Sequence, residues 1–146
     1  MTALRRLARD RRGSTAVFTA LMMTTMMGFV GLGVDAALWL QLREATQAAA
    51  DNAATAAAMS DGDAPAEALA MAAAHGLIDG QNGVRITSGW RKTPDGAVFD
   101  VTIARPTPLL FARAFIGATS GLQVQATAAP DPHCAGKPGC IARLVG

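Results

Sequence analysis

The sequence predicts an α+β fold, with one long N-terminal helix packed on a small antiparallel sheet. Three observations predict it. An uncharged, apolar run fills residues 16–34. Residues 36–59 hold neither Pro nor Gly and are rich in Ala, Leu and Gln, which are good helix formers. After residue 83, apolar and polar residues alternate in three short runs, the period-two signature of strands.

The apolar run is the first element. A bilayer core takes roughly 20 apolar residues in helical form, and no charge falls between Ser14 and Asp35. Arg5, Arg6, Arg9, Arg11 and Arg12 precede it, opposed only by Asp10. By the positive-inside bias, residues 1–13 form a cytoplasmic leader and residues 14–35 a transmembrane helix. The remainder then lies across the membrane. Two other readings stay open. One is a secretory signal cut near Val34-Asp35-Ala36, although signal cores span only roughly 7–15 residues. The other is a buried core helix, against which five arginines at one end argue. Gly28, Gly31 and Gly33 lie inside the run, so they form no dinucleotide fingerprint. Glycines in lipid permit close helix contact, and with Asp35 they are the candidates for packing in or at the edge of the membrane. The plainer reading of Asp35 is a solvated residue at that edge.

The helix is expected to continue to Met59, reaching roughly 65–70 Å at 1.5 Å per residue. Trp39 falls where an amphipathic ring suits the membrane interface. Ala45, Ala49, Ala53 and Ala57 recur every fourth residue, with Ala50, Ala54 and Ala58 beside them. Small residues at this spacing let another element approach closely. Either the domain's own sheet packs there, or Ala49, Ala53 and Ala57 contact other subunits. Gln47, Asp51 and Asn52 mark a more polar face.

Residues 60–63 break the helix. Asp63 suits an N-cap and Pro65 a first turn, predicting a short helix over 65–75 closed by Gly76. His75 in its last turn complements the helix dipole. Val84, Ile86, Ser88 and Trp90 alternate with polar or small residues, as do Phe99, Val101 and Ile103. The turn signal Thr93-Pro94-Asp95-Gly96 between them predicts a hairpin. Pro106 and Pro108 are expected to end its second strand. Residues 109–116 read as a short apolar helix, or alternatively a buried strand. Leu122, Val124 and Ala126 mark a third strand. Residues 36–129 thus form one extracytoplasmic α+β domain.

Residues 130–146 form an expected irregular tail. Outside the cytoplasm its Cys134 and Cys140 would oxidise to a disulfide. A structural zinc takes four ligands, more than His133, Cys134 and Cys140 supply, so neither a metal nor another cofactor is expected. The chain has no phosphate-binding Gly-Lys-Ser/Thr loop, no HExxH and no GxSxG, which argues against an enzyme and a small-molecule substrate. The net charge of +2 is concentrated in the leader and Tyr is absent. The charge therefore reads as topological, with no stacking platform for nucleic acid.

The stretch from Arg11 to Ala58 resembles the N-terminal region of the TadE/TadG-like proteins of Flp (tight-adherence, Tad) pilus assembly. Its marks are Arg11-Arg12-Gly13, then Ala16-Val17, Gly31-Leu32-Gly33-Val34-Asp35, Leu42, and the run from Gln47 to Ala54. Pro108-Leu109-Leu110-Phe111-Ala112 with Gly117, and Val124-Gln125-Ala126-Thr127-Ala128, resemble the segment that follows in TadG-like chains. The resemblance implies a pilin-like fold and a single-pass protein of the bacterial inner membrane facing the periplasm. It implies a minor-pilin-like or assembly component whose partners are the membrane and other pilus proteins or pilins. The alternative is a soluble periplasmic binding module released by signal cleavage. Prepilins of this system are cut after a Gly and carry Glu five residues later. Gly13 is the corresponding processing position, but Phe18 replaces the Glu. Many TadG-like chains continue into a von Willebrand-type domain. This sequence ends before one, so its adhesive role is not expected.

Overall fold

The structure, a computed structural model, describes residues 12–94, 96–111, 120–129 and 143–144. Helix α1 runs unbroken over Arg12–Met59, and α2 covers Ala64–Ala74. Strands β1 (Arg85–Thr93), β2 (Gly96–Thr107) and β3 (Ser120–Ala129) are joined by a two-residue β4, Arg143–Leu144. The sheet is antiparallel in the order β1-β2-β3-β4. This is the expected α+β fold, with three principal strands.

Local chemistry explains the boundaries. The Asp63 carboxylate accepts from the Ala66 N–H at 3.3 Å, capping α2. Gly76 takes φ +76 just past the helix end, a conformation that suits glycine. At the hairpin Thr93 pairs with Gly96, leaving a two-residue connection. Ile86 sits opposite Ile103, and Ile103 opposite Val124, so one apolar row crosses all three strands.

That row faces the second half of α1. Ala49, Ala50, Ala53, Ala54 and Ala57 are completely buried, as are Phe99, Val101 and Ile103. Ala68 and Ala72 of α2 close the same core. Alanine keeps the helix surface shallow, so the sheet and α2 lie close to the α1 backbone. The large side chains that fill the space come from the sheet. Each contributes roughly 1.5–3 kcal/mol by leaving water.

Three expectations are corrected. β2 continues through Pro106, opposite Gly121. Its pairing with β1 already ends at Ala104, so at Pro106 only β3 is a neighbour and no ladder bond need be lost. Residues 109–111 are irregular, and the rest of the expected helix over 109–116 lies outside the described residues. The tail contributes β4 to the sheet instead of being wholly irregular. Cys134 and Cys140 lie outside the described residues.

Candidate functional site

The first half of α1 has an unusual surface. From Val17 to Val34 its large apolar side chains are between 43% and 70% exposed. An amphipathic helix of a soluble domain hides one stripe; this one presents apolar groups all round. Three hydroxyls in the run are turned inward. Thr19, Thr24 and Thr25 donate to the carbonyls of Thr15, Ala20 and Leu21 at 2.8, 2.9 and 2.9 Å. Their donors are thereby satisfied within the helix, as a lipid environment requires. Among the described residues, this helix alone is long and apolar enough to cross a membrane.

The run ends in a joint. Asp35 is 3% exposed and its carboxylate accepts from two backbone groups of the irregular segment after β2. The Leu110 N–H reaches Oδ1 at 3.0 Å and the Phe111 N–H reaches Oδ2 at 2.8 Å. Both donors belong to residues outside any described helix or strand, so a charged acceptor is especially favourable there. One turn earlier, Phe111 lies across Gly31, so close that an added Cβ would stand 2.6 Å from its ring. Gly31 is therefore the opening that admits the ring. Gly28 and Gly33 touch nothing within 4 Å of where a Cβ would stand, and Gly13 is equally open. The structure thus brings Gly31 and Asp35 together with Leu110 and Phe111, and leaves Gly13, Gly28 and Gly33 apart.

The alanine face resolves differently. Ala49, Ala53 and Ala57 are buried in the chain's own core, under the sheet and α2, which is the first of the two packings their spacing allows. Trp39 is half-buried against that core, with the Arg43 guanidinium 5.8 Å from its ring centre. His75 sits at the end of α2, its Nε2 3.1 Å from Nδ2 of Asn52 on α1.

The outer face of the sheet is polar. Arg91 holds Asp100 through two hydrogen bonds, and the Thr127 hydroxyl donates to the same carboxylate at 2.7 Å. The Arg91 hydrogen bonds hold the Asp100 carboxyl below its ordinary range. Burial opposes this, and Thr127 and the Arg91 charge add to the lowering. Among the described residues no three His, Cys, Asp or Glu side chains converge as metal ligands would.

The sequence singled out Gly31 and Asp35 as membrane-edge residues, but not the segment that closes over them. In the sequence Leu110 and Phe111 stand out only as part of an apolar run and of the Pro108–Ala112 segment that resembles TadG-like chains. Nothing local shows that their N–H groups meet a carboxylate 75 and 76 positions earlier.

No curated protein and no solved structure matches the chain. Residues 13–60 match the Tad family model, described as "Putative Flp pilus-assembly TadE/G-like". The match begins at the exposed run and ends with α1, so it spans both the apolar half and the sheet-packed half. The family is one of structural and assembly proteins, and the exposed apolar helix fits a pilus-assembly role. Over residues 13–60, the helix that carries both the joint and one side of the core, the chain is similar to the TadE/G-like family of Flp pilus assembly.

Proposed function

We propose that this chain is a single-pass inner-membrane component of a Tad/Flp-type pilus, minor-pilin-like or an assembly factor. It acts through non-covalent contacts with other pilus proteins. Residues 1–13 lie in the cytoplasm, residues 14–35 cross the bilayer, and residues 36–129 form a periplasmic domain to whose sheet the tail 130–146 adds β4. The observation that carries this reading is the surface of α1. Its first half is apolar on every side, one face of its second half is buried under a sheet, and no break separates them. Such a helix suits two solvents in succession. The five arginines before it supply the orientation. The segment that matches the pilus-assembly family is this same helix.

The test is fractionation of cells that carry the chain, followed by protease treatment of intact spheroplasts. The chain should stay in carbonate-washed membranes, lose its C-terminal domain to external protease and keep the arginine leader. Recovery in the soluble fraction with a new N-terminus near Ala36 would replace this reading with a released periplasmic module.

A further inference from the structure

The irregular segment after β2 leaves two large apolar side chains in the open. Leu110 is 66% and Phe111 46% exposed. They do not stand on an isolated patch of the sheet domain. Phe111 covers Gly31, inside the apolar run, and Gly31 is flanked in the chain by the exposed Phe29, Val30 and Leu32. Gly31 precedes Asp35 by one helical turn, so the ring sits about 6 Å along the axis towards the membrane side of the joint.

Unpaired backbone N–H groups keep most irregular segments out of lipid, at several kcal/mol each. Here the two N–H groups at the apolar tip are already occupied by the Asp35 carboxylate. Two occupied N–H groups, two exposed apolar side chains and a position beside the apolar helix match the chemistry of the bilayer interface.

We propose that Leu110 and Phe111 dip into the outer leaflet as a second point of membrane attachment. They hold the sheet domain at a fixed tilt against the bilayer, with Asp35 as the positioning residue that makes the segment compatible with lipid. This rests on the transmembrane reading of α1, and the test separates the two. The full chain is reconstituted in phosphatidylethanolamine–phosphatidylglycerol vesicles carrying nitroxide-labelled acyl chains. Trp39→Phe with Trp90→Phe removes the native fluorophores, and Phe111→Trp or Met23→Trp then supplies one. The expected result is loss of Phe111→Trp emission to shallow nitroxides and loss of Met23→Trp emission to deep ones.

Loss for Met23→Trp alone, with Phe111→Trp quenched by aqueous iodide, overturns the proposal and leaves the anchor standing. Phe111→Trp shielded from both lipid and iodide seats a second copy over the segment and also overturns it. Absence of lipid quenching at both positions removes the anchor reading and the proposal together. If the doubly substituted background does not fold, the same comparison is made with both native tryptophans kept, as the difference between Phe111→Trp and the parent chain.

Discussion

At the scale of single residues, two carboxylates do different work. Asp35 spends its charge on backbone donors that have no other acceptor among the described residues. Removing a buried acceptor leaves its donors desolvated and unpaired, which costs about 1–3 kcal/mol. Asp35→Ala should lower stability by that amount in denaturant unfolding of the detergent-solubilised chain. Asp35→Asn, which keeps one acceptor oxygen, should cost less. Equal losses for the two variants would show that the hydrogen bonds are not what Asp35 supplies. Asp100 is instead part of a half-buried polar cluster with Arg91 and Thr127 on the sheet's outer face. Its folded-state pKa is lowered, chiefly by the Arg91 hydrogen bonds. The stabilisation is therefore present above the unfolded aspartate value near pH 4 and is lost as pH falls through the lower folded value. Unfolding measured at pH 7 and at about pH 3 should show a smaller acid loss for Asp100→Asn than for the parent. An unchanged acid loss would remove the cluster from the account.

At the scale of elements, α1 is one helix with two packing modes. The alanines of its second half let Phe99, Val101 and Ile103 pack against the backbone. An added side chain at a filled site costs about 1–3 kcal/mol. Ala53→Leu should pay this, because Ala53 is completely buried, whereas Ala45→Leu on the exposed face should be nearly neutral. Thermal melts of the two variants side by side check the difference, and similar melting points would contradict the packing described here. The alanine period was legible in the sequence, since every fourth residue is small. Which body lies on it was not, because a helix face cannot distinguish its own sheet from another chain. The strand pattern was legible for the same reason, through alternation and the Pro-Asp connection. Pro106 misled because its tolerance depends on β1 ending first, a fact of register and not of composition.

At the scale of the whole molecule, one rod joins a region suited to lipid and a region suited to water. A contiguous apolar surface of this size on a soluble monomer drives association. The purified chain should sediment as a single small species in detergent and as large aggregates after detergent removal. Analytical ultracentrifugation decides this, and a monodisperse species without detergent would contradict a lipid-facing surface. The joint at Gly31 and Asp35 matters at this scale because it ties the sheet domain to the rod one turn inside the apolar region. Rotation of the domain about α1 is then opposed by two hydrogen bonds and a seated aromatic ring.

Hydropathy, charge order and residue periodicity belong to the chain itself. They were enough for the long helix, its apolar half, the capped short helix and the hairpin, since each of these depends on neighbours within a few positions. The tertiary structure alone decided that the alanine face is internal, that β2 carries Pro106, and that Asp35 receives Leu110 and Phe111. Those outcomes join positions far apart in the chain, and their energies exist only once the sheet has folded back onto the helix.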